Sequence, residues 1–212
     1  MARAVPTQVA HFTHLDQLAA IAEQGLLSET VAISADARRT EVGNPEIKAT
    51  RRRRLVPIPP GGVVADYAPF YFAPRSPMMY AIHRGRVVTY SGGCEELAYL
   101  VTSVERLTAL GLRMVFTDRN AVLDAATFRS DPADLDALVD WPLMRATMWA
   151  NTESEPDRRE RRMAECLVYS QVPWAAFTEV AVKSAGSRRK ALAALLKAQP
   201  QLPITVRPSW YF

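Results

Sequence analysis

The spacing of apolar and polar residues changes along the chain between a period near two and a period near three and a half. Residues 7–12 have the pattern of a short strand. Over residues 15–24 apolar side chains recur at intervals of three and four, and Gly25 follows, which predicts a helix that ends there. Pro77–His83 is a second predicted helix, because Ser76 is a suitable N-cap and proline is favoured at the first helical position.

Other short apolar or alternating runs predict strands at residues 63–65, 97–101, 112–117, 163–169 and 178–183, and an extended segment at 203–212. Thr102 and Glu105 have the spacing of a capping box and predict a helix over 102–110. Residues 131–149 are predicted to be helical in pieces, and 188–198 to form an amphipathic helix.

Residues 28–60 show no apolar period and contain several prolines, so they are predicted to be an irregular loop, either a functional lid or disordered. Residues 66–80 hold five aromatics and three prolines, which argues against helix ahead of Ser76. Short strands mixed with short helices, without regular βαβ spacing, predict an α+β fold rather than a doubly wound sheet. One domain over residues 1–212 is expected.

The composition is that of a globular protein: 212 residues, 49% of them hydrophobic, with a net charge of +4. That apolar content excludes disorder as the dominant state, and no run approaches the roughly 18 apolar residues of a membrane span. Residues 1–14 contain no apolar leader, so a cytoplasmic location is expected. Two cysteines and three histidines predict neither a disulfide framework nor a metal site.

Arginine dominates the basic residues: of 26, only four are lysines, so 22 are arginines. A genome rich in G and C would raise that count without functional meaning. Arginine is also the side chain that binds phosphate through two parallel hydrogen bonds and stacks on bases. A nucleic acid or a phosphorylated ligand is therefore an open possibility, and the sequence lacks the glycine-rich loops that usually bind nucleotides.

Four groups of residues are candidates for chemistry. The histidine and threonine of residues 11–14 lie where a strand meets a helix N-terminus, where they would either bind a ligand or only cap and pack. The arginine run 51–54 is a solvated surface, a clamp for nucleic-acid backbone, or the source of one inward-pointing guanidinium. The aromatics of residues 67–72, with Arg75, form either a stacking surface or part of the core.

Glu165 is the most informative single residue. It follows the charged segment 157–162 and opens an apolar strand, so its carboxylate is expected where a dry sheet meets a charged cleft. That position suits a general base or a group that orients a hydroxyl. The alternative is a surface ion pair with Arg161 or Arg162.

These segments together resemble the DarT family, which comprises DNA ADP-ribosyltransferase toxins of bacterial toxin–antitoxin pairs. The resemblance runs through nearly the whole chain and is carried by HFT at 11–13, NPEIKATR at 44–51, DYAPFYFAPRSPMMY at 66–80, TDRNA at 117–121 and DRRERRMAECLV at 157–168. The long aromatic and proline-rich block is the most specific of these.

The resemblance implies an ADP-ribosyltransferase fold, with a split mixed sheet, NAD in the cleft and no Rossmann motif or metal. It implies transfer of ADP-ribose from NAD to a base of single-stranded DNA, with thymine expected and guanine used in another branch. Glu165 matches the catalytic glutamate, and Arg51 the catalytic arginine, with Arg54 left open. A macrodomain antitoxin is the implied partner.

The resemblance and the residue patterns together predict two further groups of site residues. The expected cofactor-binding residues are His11, Thr13, Gly25, Leu26, Tyr67, Phe70, Tyr71 and Arg75. The expected DNA-binding residues are Arg54, Arg75, Met78, Arg119, Asn120 and Trp149. The competing interpretations are an NAD glycohydrolase, a protein-directed ADP-ribosyltransferase and a non-catalytic module that binds single-stranded DNA.

Overall fold

A mixed sheet organises the computed structural model, which describes residues 3–37 and 40–212. The strands are β1 (Gln8–His14), β2 (Leu26–Leu27), β3 (Tyr67–Tyr71), β4 (Leu97–Ser103), β5 (Met114–Thr117), β6 (Phe128–Arg129), β7 (Glu165–Tyr169), β8 (Gln171–Val172), β9 (Glu179–Val182) and β10 (Ile204–Val206). Eight of them form one sheet in the order β10-β9-β4-β1-β3-β7-β5-β6, while β2 pairs with β8. Only β9 and β10 run parallel in the described sheet. The predicted α+β class is confirmed.

The helices are short and lie on both sides of the sheet. They are α1 (Leu18–Gln24), α2 (Glu29–Ser34), α3 (Pro45–Arg51), α4 (Pro77–His83), α5 (Val104–Ala109), α6 (Leu135–Leu138), α7 (Trp141–Arg145), α8 (Arg158–Arg161) and α9 (Ala185–Ala194). The longest has ten residues, so their stability comes from packing against the sheet rather than from intrinsic propensity.

The alternation of side chains along β1 and β4 builds two apolar layers. Val9 and Leu100 face one side, where they join the cluster that contains Leu18 of α1. Phe12 and Tyr99 face the other side, with α4 beneath them. Because successive strand residues point to opposite faces, the same strands support both cores.

The sheet opens between β1 and β3. β1 pairs with β4 along seven residues. The described β1–β3 ladder has a single pair, Ala10 with Tyr71. Beyond that pair the strands diverge, and the His11 ring nitrogen Nδ1 lies 2.7 Å from the carbonyl oxygen of Pro69. This opening is the split that the family resemblance implies, and it leaves a cleft in the middle of the sheet.

Two predictions of local structure were wrong. Residues 28–60 were expected to be irregular, but they contain α2 and α3, whose caps are the side chains of Ser28 and Asn44. These helices are too short for an apolar period to be visible. Residues 63–65 were predicted to be a strand, whereas Val64–Asp66 is one turn of 3-10 helix and β3 starts at Tyr67.

Three boundaries also differ from the predictions. α5 is capped by Ser103, because Glu105 accepts hydrogen bonds from the backbone and hydroxyl of Thr7 instead of closing a capping box. The first helix begins as a 3-10 turn, with α1 proper at Leu18. The last helix begins at Ala185, three residues earlier than predicted, because Ser184 accepts a hydrogen bond from Ser187 N–H and so caps it.

Candidate active site

Arg51 and Glu165 form a buried ion pair at the cleft in the sheet. Arg51 Nη1 donates to Glu165 Oε1 over 3.0 Å, and the two residues are 9% and 1% exposed. Arg51 is the last residue of α3, and Glu165 is the first residue of β7. The two are 114 positions apart in the chain, so only the fold brings them together.

The second oxygen of Glu165 is held by the turn that follows β5. Ala121 N–H donates to Oε2 over 2.9 Å. The backbone N–H of Glu165 donates to the hydroxyl of Thr117 over 3.2 Å, and that hydroxyl in turn donates to the carbonyl of Arg119. Two donors therefore orient the carboxylate while its other lone pairs remain available to a substrate.

A cavity of about 380 Å³ reaches this carboxylate. Its volume lies within the range of small-molecule sites. Arg51 and Glu165 both line it, and Arg51 Nη2 is buried without a hydrogen-bond partner in the described part of the chain. A buried, unpaired guanidinium nitrogen is costly, so this donor is suited to an acceptor brought by a ligand.

Tyr71 lies beside the ion pair. Burial and the negative charge of Glu165 raise its pKa well above the ordinary value, and the Arg51 guanidinium opposes that shift. The phenol therefore stays neutral near the carboxylate and keeps its proton for hydrogen bonding.

The structure brings five of the eight predicted cofactor residues to the cavity: His11, Thr13, Leu26, Tyr67 and Tyr71. Phe70 does not line it. Its side chain is fully buried in the apolar layer on the other face of β3, where it stacks on Phe177. The structure therefore does not bring Phe70 to the cavity, because alternate strand residues point to opposite faces.

Gly25 and Arg75 also lie outside the cavity lining. Gly25 ends α1 with a φ of 79°, and a Cβ there would lie 2.7 Å from the carbonyl oxygen of Val172. The turn and the adjacent strand thus require glycine at this position. The guanidinium of Arg75 lies over the ring of Phe212, at 4.3 Å from its centre.

Of the six predicted DNA-binding residues, two line the cavity and four do not. Met78 and Asn120 line the cavity. Arg54 binds Asp124, and Arg119 binds Asp118 and Asp157, so both are held in ion pairs. Trp149 packs edge-on against Tyr80. Of the two arginines considered as the catalytic arginine, the structure brings Arg51 to Glu165 and not Arg54. The alternative surface ion pair of Glu165 with Arg161 or Arg162 does not form, because Arg161 binds other carboxylates and Arg162 binds carbonyls.

Several polar residues of the cavity wall were not predicted, among them Lys48, Glu29 and Glu41. Lys48 donates to Glu41 and lies 3.5 Å from Glu29. The sequence signal that could have predicted this part of the cavity wall is the Asn44–Pro45 pair, an N-cap followed by proline. This pair starts α3 and so determines on which sides of the helix Lys48 and Arg51 lie.

Comparison with known proteins shows the family of the chain. The family model described as ssDNA thymidine ADP-ribosyltransferase, DarT, matches residues 10–212. The chain belongs to the DarT family. A DNA ADP-ribosyl transferase of Thermus sp. strain 2.9 is 39% identical over 211 residues, covering 98% of this chain and 97% of its own.

Two solved structures show the same DarT fold. The Thermus sp. 2.9 DarT in complex with ADP-ribosylated ssDNA has a TM-score of 0.92 at 38% identity and covers 100% of this chain and 99% of its own. The complex of Thermus sp. 2.9 DarT with NAD+ has a TM-score of 0.88 at 37% identity, with 99% and 100% covered. The predicted split-sheet ADP-ribosyltransferase fold is thus confirmed.

Neither a membrane span nor a metal cluster is found in the described residues. No helix within 3–37 and 40–212 is long and apolar enough to cross a bilayer. Across the same ranges, no three His, Cys, Asp or Glu side chains are grouped so as to hold a metal ion.

Proposed function

We propose that this chain transfers ADP-ribose from NAD+ to a thymine base of single-stranded DNA, with Glu165 and Arg51 as its catalytic residues. The observation that carries the assignment of residues is the buried Arg51–Glu165 pair on the cavity wall, in a chain of the DarT family. NAD+ is the co-substrate, as the DarT complexes with NAD+ support.

The cavity residues fit a dinucleotide by their chemistry. His11, Thr13 and Tyr71 place hydrogen-bonding groups along the wall, and the Arg51 Nη2 donor has no acceptor among the described residues. Leu26 and Tyr67 add apolar surface. Such a mixture of apolar walls with a few placed polar groups is typical of cofactor sites. We assign these five side chains, with Arg51, to NAD+ binding.

The reaction replaces one C–N bond by another at the anomeric carbon of the nicotinamide ribose. The bond to nicotinamide breaks, and nicotinamide leaves with the electron pair and becomes neutral. A thymine ring nitrogen forms the new bond, and its proton passes to the Glu165 carboxylate. Glu165 suits this step because two donors fix its orientation within a buried wall.

Arg51 offsets the negative charge that develops on the base as its proton leaves. The guanidinium stays protonated at any relevant pH, so it stabilises this charge without supplying a proton. The target base would enter beside Met78 and Asn120, which line the cavity. A single strand is the fitting substrate, because extracting a base from a duplex costs a few kcal/mol.

The test is incubation of the protein with NAD+ and oligonucleotides with and without thymine, followed by mass spectrometry of the DNA. Wild type should add ADP-ribose only to the thymine-containing strand. Glu165→Gln should reduce the rate about 100-fold or more, which is the usual contribution of general-base catalysis. The matched control is Glu179→Gln, which alters another ion-paired glutamate of the same sheet, beside Arg207, and should leave transfer unchanged.

Three outcomes would contradict the proposal. Full-rate transfer by Glu165→Gln would show that Glu165 is not the general base. Nicotinamide release that does not depend on oligonucleotide, with no mass added to DNA, would identify an NAD glycohydrolase instead. A shift of DNA mobility without added mass would identify a binding module.

The family membership also supports a biological role, which we propose as that of a cytoplasmic toxin paired with a macrodomain antitoxin. ADP-ribose on template bases would block copying, and a partner that hydrolyses the modification would reverse it. The direct check is to treat the modified oligonucleotide with a macrodomain hydrolase encoded beside this chain and to measure loss of the added mass. Growth arrest on expression, absent in Glu165→Gln, checks the toxin role.

A further inference from the structure

Arg162 is a buried cation that binds carbonyl oxygens. It is 4% exposed, and no carboxylate of the described residues lies within ion-pair distance of it. Its Nη1 donates to the carbonyls of Leu143, Met144 and Ala146 at 2.5, 2.8 and 3.3 Å, and its Nη2 to that of Pro74 at 2.9 Å. One guanidinium thus joins two segments that are about seventy positions apart.

Packing alone does not account for this side chain. Burial lowers the pKa of Arg162 to about 10, so the group is still protonated at neutral pH and carries a desolvation cost. An apolar side chain of similar volume would fill the same space without that cost. The three carbonyls at its Nη1 lie at the C-terminal end of α7, where the negative end of the helix favours a cation.

The turn that holds Pro74 leads to the cavity wall, whereas none of residues 143–149, all of them described, lines the cavity. Pro74 lies three residues before Pro77, which lines it, and Met163, the neighbour of Arg162, lines it as well. The segment after α7 continues to Trp149, which contacts Tyr80 of α4 at a ring distance of 6.0 Å. Arg162 therefore fixes how far residues 143–149 stand from the turn between β3 and α4.

We propose that Arg162 is a positioning residue for the DNA strand: it holds residues 143–149 against the turn that leads to Pro77 and Met78 on the cavity wall, so that nucleotides next to the target base can lie across them. This inference rests on the proposed transfer to DNA. The exposed face of the segment carries Arg145 and Met148, the latter 75% exposed, and offers a cation and an apolar surface to a strand.

Glu165 is held independently of Arg162. Its carboxylate is oriented by Arg51 and by Ala121 N–H, and its backbone by Thr117 and by the β3–β7 ladder. Loss of the Arg162 contacts should therefore shift residues 143–149 without moving the Glu165 carboxylate. We therefore expect a rise in KM for DNA with little change in kcat or in NAD+ affinity.

The experiment compares Arg162→Lys with Arg106→Lys. Lysine keeps the charge but donates from a single point, so it cannot hold both segments. Arg106 is the matched control, because its guanidinium also donates to two carbonyls, those of Ala175 and Ala176, away from the cavity lining. Circular dichroism and thermal unfolding first establish that each variant is folded.

For Arg162→Lys we expect KM for a thymine-containing oligonucleotide to rise at least ten-fold. We expect kcat to stay within three-fold and the NAD+ dissociation constant within two-fold of wild type. Arg106→Lys should match wild type in all three. An unchanged KM for DNA, or a parallel loss of NAD+ affinity, would overturn the positioning role.

Should Arg162→Lys fail to fold, Trp149→Ala tests the same segment without touching Arg162. A ten-fold rise in KM for DNA at unchanged NAD+ affinity supports the inference, and an unchanged KM overturns it. Failure of this inference is distinct from failure of the proposed function: in the first case wild type still modifies DNA, and in the second it does not.

Discussion

Tyr71 lies directly opposite Glu165 in the antiparallel ladder between β3 and β7. Opposed residues of such a ladder place their side chains on the same face, with Cβ atoms about 5 Å apart. Both residues line the cavity, and the negative charge of Glu165 adds to burial in raising the pKa of the Tyr71 phenol. The ladder thus sets a neutral hydroxyl beside the proposed base.

This pairing makes a prediction about pH. Because the pKa of Tyr71 is raised above its ordinary value near 10, the phenol stays protonated throughout pH 6–10, and its ionisation makes no contribution to the rate there. Tyr71→Phe should therefore give a kcat/KM profile of the same shape as wild type over that range. Disappearance of a basic limb below pH 10 in Tyr71→Phe would contradict the raised pKa.

The two arginines near the cleft should respond differently to substitution. Arg51→Ala removes the guanidinium at Glu165 and should lower kcat by about 100-fold or more, the usual effect of losing one charge-stabilising donor. Arg54 instead binds Asp124, which is fully exposed, and the carbonyl of Leu123. Arg54→Ala should change kcat less than three-fold. Single-turnover transfer assays measure both, and a larger loss in Arg54→Ala would reverse the assignment.

The ion pair also makes a prediction about stability. Glu165→Ala leaves Arg51 buried without its partner, which should lower the free energy of unfolding by about 3 kcal/mol. Adding Arg51→Met removes the uncompensated charge and should recover part of that loss. Urea unfolding of the single and double variants measures the coupling. Strictly additive losses would show that the two charges do not interact in the folded protein.

Substitutions at Phe70 and Thr13 should distinguish a core residue from a residue of the cavity wall. Since its ring lies in the apolar layer against Phe177, Phe70→Leu should lower the melting temperature but leave KM for NAD+ unchanged. Thr13→Ala is the comparison on the cavity side, and it should raise KM for NAD+ with little change in melting temperature. The opposite pattern would place Phe70 in the cofactor site after all.

Sequence patterns predicted the elements whose signals are local. The helix Pro77–His83 was found from its cap and its proline, and the strand of Glu165 from its apolar run. α2 and α3 were missed because six or seven residues show too few turns for a period, and the prediction made no use of their caps, Ser28 and Asn44. Val63 and Val64 favour a strand, whereas only the contacts around Val64–Asp66 impose its 3-10 turn.

The chemistry of the site was visible in the residues, and its assembly was not. Residue types and the order of the motifs were enough to indicate the family resemblance. They also singled out Glu165 and one arginine within 51–54 as functional candidates. Only the tertiary structure decided that Arg51 meets Glu165, that Phe70 turns away from the cleft and that Arg162 binds carbonyls. The reason is physical: these outcomes depend on strand register, on which face a side chain occupies and on contacts between residues more than fifty positions apart, none of which a local pattern encodes.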